Sequence, residues 1–556
     1  MYSSESTDER TPVWQGKRKR YLASLVVFGF IQAVVIMGVS ALVAQVFTSI
    51  GDNNTGISWL VVLVILAAVS LAILRWAERV FAEHLGQDYI VQVRLRLFRH
   101  LMFADQRSAQ RFSHGAMALR FVTDLSGLRQ WVALGMARLV VIVSTVISIL
   151  ALLAFRQPVL MLFVIGAVLL AVVLCVVIGS KLSISIRAVR KYRARLAATV
   201  TDRINTLTTV QACIQERREI RRVRRQSESL YDANLKRAHI TGALFGALEA
   251  ITVLMTGAIL VVAGMLVESG QLSLGDVAAS MTLLGLLLTP MRDMGRIMDY
   301  WKQWQVSNEK IASFLRVHPR YMQSVKSSEA IAPTSDFGNL IAKGVAIEGL
   351  LEPSDFSVPA GHHIVLDGGN GSGKTSLLLT IAGVLPLQTG VLTLDGQTLV
   401  SDKGERIPVS GIGLVSPDMG LMRGSLKRNL TYANPKASAE DIHRVIRQCD
   451  LVDLIQILPR GLDTRLSEGG KNLSVGERKR IVLARTLLMQ PRILLLDELD
   501  AHLDIRSLAV IEQALTQFRG SVIEVSHHRK LNLHKPGRCL HLDQLHIHER
   551  YDCAEY

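Results

Sequence analysis

The sequence predicts two folds in one chain: an all-α membrane domain of six spans whose helices extend into the cytoplasm, then an α/β domain carrying a phosphate-binding loop. Three observations predict it. Six apolar runs lie within the first 291 residues, and a Gly-rich loop ending in Lys-Thr sits between an apolar strand and an apolar helix at 368–375. The charge also divides unevenly. From Ser335 onward 25 Lys and Arg face 26 Asp and Glu, whereas 38 basic and 21 acidic residues precede it. The whole +16 excess therefore belongs to the hydrophobic half. With 49% hydrophobic and 20% charged residues, an intrinsically disordered chain is excluded.

A membrane-spanning helix needs about 20 predominantly apolar residues. Tyr21–Phe47 has 27 residues without a charge, and Ile57–Leu74 is a second such run, ending at Arg75. Leu139–Phe155 and Pro158–Ser180 are separated only by Arg156 and Gln157. Ala250–Val267 is the fifth run; Val277–Met291, 15 residues with Pro290 inside, is the sixth and weakest. The first run is too long for the core of a secretory signal and is followed by no small-residue cleavage site.

The connections set the orientation. Thr48–Gly56, Arg156–Gln157 and Glu268–Asp276 are short and hold one basic residue between them, while residues 181–240 hold 15 Lys and Arg against 5 Asp and Glu. Lys17, Arg18, Lys19 and Arg20 precede the first run. The positive-inside rule then places the long links, both termini and the second half in the cytoplasm. Apolar residues at helical spacing through 181–240 predict that the membrane helices continue beyond the bilayer. Solvated helix faces near anionic lipid account for these arginines, so no nucleic-acid partner is expected. Glu249, Arg292, Asp293 and Arg296 flank the fifth and sixth runs on the cytoplasmic side. They read as interfacial anchors and ion pairs, or as a polar rim on a substrate cavity.

Five scattered cysteines without a CxxC pair argue against a disulfide scaffold or a Cys-rich zinc site and fit a reducing compartment. The segment Gln323–Gly338 is polar and separates the halves. The expected organisation is an N-terminal cytoplasmic segment (1–20), a membrane domain (21–322), a linker (323–338) and a nucleotide-binding domain (339–556).

Val365-Leu366-Asp367 reads as a strand end running into Gly368-Gly369-Asn370-Gly371-Ser372-Gly373-Lys374-Thr375, followed by a helix over Ser376–Ala382. Backbone N–H groups of such a loop approach phosphate oxygens closely, and the helix N-terminus adds partial positive charge. Gly368, Asn370, Gly371, Ser372, Gly373 and Ser376 are thus expected to cradle ATP. Lys374 reaches its outer phosphates and Thr375 is expected to ligate Mg²⁺. Ile493–Leu496 is a second buried strand, ending in Asp497-Glu498. Asp497 is assigned to the Mg²⁺ shell and Glu498 to polarising the attacking water.

Between them lies Asn472-Leu473-Ser474-Val475-Gly476-Glu477-Arg478, opening a helix over Lys479–Leu488. This order of motifs resembles the ATP-binding cassette (ABC) family, whose signature is LSGGQ. Ala501-His502-Leu503-Asp504 is similar to the family's D-loop, and Val522–Ser526 reads as a strand leading to His527 at the switch-histidine position. With six spans ahead, the chain resembles a half-transporter of the six-helix ABC exporter type: a membrane domain fused to an α/β P-loop NTPase of the ABC type. The resemblance implies head-to-tail pairing of two cassettes, ATP between one chain's loop and the other's signature residues Ser474, Gly476 and Glu477, and catalytic roles for Glu498 and His527. It further implies coupling helices near Arg107–His114 and Thr208–Arg218, and a multi-pass protein of a bacterial-type inner membrane. The family's expected partners are membrane lipid, an unidentified transported substrate and a second half-transporter.

Four features depart from the family pattern. Pro417 stands where the Q-loop Gln is expected, Val475 replaces a signature Gly, Glu477 replaces its Gln, and no aromatic matches the adenine-stacking position, which falls near Gly349. Phe356 lies too close to the loop and reads as a strand core residue. A heterodimer, in which this loop meets a partner's intact signature, is therefore favoured slightly over a homodimer. Export driven by ATP hydrolysis is the leading reading; a weakly hydrolysing regulatory half or an importer on the same fold are the alternatives. His541, His546, His548 and Asp543 read as a solvent-facing strand and tail, not a metal site. About 20 residues precede the first span, too few for a peptidase-like domain.

Overall fold

The computed structural model describes residues 13–51, 57–102, 117, 120–272, 274–316, 338–400, 411–525, 539–543 and 546–550. The chain divides into two compact units, one helical and one mixed α/β.

The helical unit opens with α1 (Arg18–Gly51) and α2 (Ile57–Met102). Next come π-helical turns at Arg120–Asp124 and Gln130–Met136, on either side of a short helix over Leu125–Arg129. They lead into α3 (Ala137–Arg156), α4 (Pro158–Asn205), the short α5 (Leu207–Ala212), α6 (Glu216–Glu268) and α7 (Leu274–Leu315). Among the described residues, five helices are long and apolar enough to cross a membrane; the sixth predicted span lies in α7, which continues through Pro290. Pro158 occupies the first turn of α4, where its missing N–H and fixed φ cost nothing. α2, α4, α6 and α7 run to 46, 48, 53 and 42 residues. At about 1.5 Å per residue, each exceeds twice a bilayer's hydrocarbon thickness of about 30 Å, so the predicted extensions are present. Two apolar clusters hold the bundle, one around Leu85, Leu125, Leu128 and Phe314, the other around Val164, Leu244, Leu248 and Leu287. Trp131, Trp301 and Trp304 pack together, with Trp301 4.7 and 4.8 Å from the other two.

Of the two predicted coupling segments, Arg107–His114 lies outside the described residues. Residues 208–218 form most of α5, a turn and the first residues of α6. None of the α5 residues is buried, Ile214 stands 82% exposed, and Arg203 anchors the corner to Glu219 at 2.6 Å.

Besides a two-stranded ladder of Gly424–Ser425 with Arg465–Leu466, the mixed unit holds two larger sheets. β1 (Leu340–Ile347), β2 (Leu351–Val358), β4 (Thr389–Leu394) and β5 (Gln397–Val400) form an antiparallel sheet in the order β2-β1-β4-β5. β3 (His363–Gly368), β6 (Ile412–Val415), β7 (Ile493–Asp497), β8 (Ser521–Val525), β9 (Cys539–Asp543) and β10 (His546–Arg550) form the second, in the order β10-β9-β3-β8-β7-β6. All its pairs are parallel except β9 with β10. Every residue of β7 and β8 is buried, as expected of parallel strands covered on both faces. Phe356 is buried in the shared core, as its spacing suggested. The helices of this unit are α8 (Lys374–Ile381), α9 (Leu426–Leu430), α10 (Ala439–Gln448), α11 (Val452–Ile457), α12 (Val475–Leu487) and α13 (Ile505–Thr516). Cys175, Cys213 and Cys449 are free thiols. Cys539 is disulfide-bonded, a departure from the expectation of uniformly reduced cysteines.

Candidate functional site

β3 and α8 are joined by the predicted loop. Gly368, Gly371 and Gly373 have φ of +151°, +84° and +99°, in the region that favours glycine. At Gly368 the requirement is also steric, because a Cβ would lie 2.4 Å from the carbonyl oxygen of Leu542 on β9. The loop therefore turns against the sheet with its backbone open to a ligand. Lys374 folds back across it and donates to the carbonyls of Gly368 at 2.6 Å and Gly369 at 2.9 Å.

The end of β7 brings the acidic pair to the same place. Asp497 Oδ1 accepts from Thr375 Oγ1 at 3.1 Å, and its Oδ2 accepts from Ser416 Oγ at 3.3 Å. Burial pushes the Asp497 carboxyl above its ordinary value, and the neighbouring Glu498 and Asp418 push the same way against the two hydroxyl donors. Such a group favours a cation beside it. The oxygen donors here fit a hard divalent ion such as Mg²⁺. Ser372 Oγ fits a phosphate in the loop: it is buried and has no hydrogen-bond partner among the described residues.

Glu498 sits in a left-handed conformation at φ +48°, uncommon for a non-glycine residue and costly enough to need support. Its N–H donates to the Val525 carbonyl at 3.0 Å. Its own carbonyl accepts from Lys479 Nζ at 3.0 Å, and the same ammonium also holds the carbonyls of Leu499 and Ala501. Asp497 and Glu498 face a cavity of about 280 Å³ whose wall includes Pro417, Val475 and Lys479. Sequence reading alone missed Ser416 and Lys479. Ser416 was hidden beside the anomalous Pro417, and Lys479 stood only as the first residue of the predicted helix.

The signature residues stand at the start of α12, which begins at Val475, four residues before the predicted start. The reason is a capping box: Ser474 Oγ accepts from the Glu477 N–H at 3.2 Å, while the Glu477 carboxylate accepts from the Ser474 N–H at 2.7 Å. Glu477 thus serves the helix terminus, where a Gln would serve as well. Val475 is 41% exposed. Gly476 packs on α13, where a Cβ would lie 2.4 Å from Ser507 Oγ. No hydrogen bond among the described residues links Ser474, Gly476 or Glu477 to the phosphate loop. Asn370, Ser376 and the other loop positions lie in the predicted strand–loop–helix unit, but His527 lies outside the described residues. Gly349, at the position of the missing aromatic, is in the β1–β2 turn at φ +70°, with open space where a side chain would project.

Comparison with known proteins agrees in both units. Residues 21–291 match the family model of the ABC transporter transmembrane region, and residues 351–501 match that of the ABC transporter domain. An ATP-dependent lipid A-core flippase of Desulfotalea psychrophila is 26% identical over 449 residues, covering 80% of this chain and 77% of that protein. A multidrug efflux ATP-binding/permease protein of Mycobacterium bovis is 26% identical over 469 residues, 83% of this chain and 38% of its own length. A solved bacterial Atm1-family ABC exporter with ATP bound superposes with a TM-score of 0.85 at 19% identity, covering 95% of this chain and 94% of that one.

Proposed function

Because the chain belongs to the ABC transporter family, with a membrane domain of exporter fold and an ATPase domain, we propose that it is one half of a dimeric exporter in a bacterial-type cytoplasmic membrane, its cassette in the cytoplasm. The observation that carries the reading is the convergence of Lys374, Thr375, Asp497 and Glu498 at the ends of β3 and β7.

Lys374 and the loop N–H groups, with Gly368, Asn370, Gly371, Ser372, Gly373 and Ser376, would hold the ATP phosphates. Thr375 and Asp497 would hold Mg²⁺, which when bound neutralises charge on the phosphate oxygens. Glu498 would orient and deprotonate the attacking water, and His527 would contact the terminal phosphate. Ser474, Gly476 and Glu477 of one chain would close over the partner's nucleotide. ATP then favours the closed pair through contacts made only in that state.

The second chain is a sister half-transporter or another copy. Val475 and Pro417 both lie on the wall of the catalytic cavity; Val475 favours slightly a partner that supplies an unaltered signature, while Pro417 counts against a fully efficient site in either assembly. They also favour, as a second reading, a half that binds ATP and turns it over slowly. Relatives that move lipid A-core or diverse drugs are consistent with an amphiphilic cargo. The test is Glu498→Gln in membrane-reconstituted protein, assayed alone and with its partner. ATP binding should persist while hydrolysis and transport stop; unchanged turnover in that variant would overturn the assignment.

A further inference from the structure

The strongest unassigned site is a cavity of about 340 Å³ inside the helical unit, within the size range of ligand pockets. Six charged side chains line it: Arg75, Glu78 and Arg79 of α2, Arg138 of α3, and Asp293 and Arg296 of α7. Four guanidiniums therefore face two carboxylates. Arg75 ends the second apolar run, Arg138 precedes the third, and Asp293 and Arg296 follow the sixth. All lie at the end of the spans that the charge distribution assigns to the cytoplasmic leaflet.

The hydrogen bonding shows which charges remain available. The two carboxylates are almost wholly buried, at 7% and 5% side-chain exposure. Glu78 Oε2 accepts from Gln32 at 3.0 Å, and Arg138 lies 3.8 Å from Glu78 Oε1. Asp293 Oδ2 accepts from Arg138 at 2.6 Å and its Oδ1 from Arg296 at 3.2 Å. Every carboxylate oxygen is thus engaged. Arg75 and Arg79, by contrast, are exposed and make no hydrogen bond or close ion pair among the described residues; Arg79 acts only at longer range on Glu83, whose carboxylate is held by Arg129 at 2.6 Å. They sit at i and i+4 on one helix face, so both forks reach the same volume. The other two rim residues, Glu249 and Arg292, pair with each other and do not line the cavity.

The geometry points to an oxyanion site. The buried acids hold Arg138 and Arg296 in place, and Arg75 and Arg79, whose guanidinium donors are not taken up by a carboxylate of the cavity, provide the excess positive charge for a phosphate or carboxylate group of the cargo. Planar guanidinium forks bind such groups in pairs of parallel hydrogen bonds. This deepens the transporter reading and rests on it: the cavity would take the anionic head of an amphiphile entering from the cytoplasmic leaflet, or a free oxyanion from the cytosol.

The test is equilibrium binding to the full-length protein without ATP, so that it does not depend on turnover. The probes are dihexanoyl phosphatidic acid, dihexanoyl phosphatidylcholine and inorganic phosphate. Phosphatidic acid should bind at least ten-fold more tightly than phosphatidylcholine. Arg75→Gln with Arg79→Gln should remove that preference, while Arg292→Gln, outside the cavity, should retain it. Competition by millimolar phosphate supports the site with a free oxyanion as ligand; phosphatidic acid binding that phosphate does not compete supports it with a lipid head. Equal binding of the two lipids without phosphate binding, or a preference that survives the double variant, overturns the inference. Because both exchanged side chains are exposed and hydrogen-bond to no described residue, misfolding would not mimic a loss; an unchanged melting temperature verifies this. A chain that binds phosphatidic acid yet neither binds nor hydrolyses ATP, alone or with its partner, would sink the transporter reading and leave the site standing.

Discussion

The ammonium of Lys479, on the signature helix, donates to the backbone carbonyl of Glu498, the residue proposed to activate water, at 3.0 Å. The carbonyls of Leu499 and Ala501, at 2.9 and 2.7 Å, complete its three donor directions. Burial pushes this ammonium below its ordinary value, while Asp500 and Glu498 pull it back. The charge is kept at a cost because it fixes a left-handed turn that would otherwise relax. Lys479→Met would leave the carbonyls of Leu499 and Ala501 without this donor and that of Glu498 with only the Ala501 N–H at 3.4 Å, at about 1–3 kcal/mol for each one left buried and unsatisfied. Its expected effect is a fall in kcat of roughly ten-fold or more with the KM for ATP little changed, since the phosphate loop is untouched. Lys479→Gln, with two donors, should recover part of the loss. A raised KM at constant kcat would contradict this positioning role.

Gly476 is required by its neighbour rather than by its own backbone. The Cβ of an alanine there would lie 2.4 Å from Ser507 Oγ and 3.1 Å from Ser507 Cβ. Gly476→Ala should therefore destabilise by about 1–3 kcal/mol, the usual cost of overpacking, and push α12 off α13. Ser507→Ala removes the closer contact, so the double variant should regain part of the melting temperature. Strict additivity of the two changes would show that the glycine acts elsewhere.

Pro417 has neither a side-chain donor nor an acceptor, yet it lines the same cavity as Asp497 and Glu498. Ser416 beside it already engages Asp497 at 3.3 Å, so the segment is correctly placed and only the side chain is silent. Pro417→Gln should raise ATPase activity several-fold, whereas Pro417→Ala should not. Equal rates for both would show that the proline does not limit turnover.

The legible parts of this fold were those set by local rules. The apolar runs fixed the membrane helices, and the glycines at 368, 371 and 373 marked a loop that only such residues can follow. The parallel strands announced themselves as uninterrupted apolar runs, Ile493–Leu496 above all. What the sequence concealed depended on tertiary neighbours. Glu477 stood only as a replacement for the signature Gln, and its bond to the Ser474 N–H three residues back appears only once the helix start is placed at Val475. Asp293 read as an interfacial anchor, a member of an ion pair or part of a rim, and nothing local identified its partner, Arg138, 155 positions away. Lys479 depended on a turn nineteen residues downstream, a spacing no periodicity reports.

Cys449 gives a pH-dependent check on the packing of the α/β unit. Its side chain is fully buried among Val445, Leu451 and Ile481, and burial pushes its thiol from 9.0 up to about 12, with Arg480 pulling slightly the other way. The folded state therefore holds this proton more tightly than the unfolded state does. That contribution to stability is complete below about pH 9 and is lost as the pH rises toward 12. Wild-type protein should lose melting temperature more steeply across this window than Cys449→Ala, whose lower starting value reflects the lost packing alone. In maleimide labelling at pH 8, Cys213, exposed beside α5, should react at once. Cys449 should react only after denaturant is added, because neither thiolate nor access is available in the folded unit. Rapid labelling of Cys449 in the native protein would show that the α/β core opens far more readily than its packing implies.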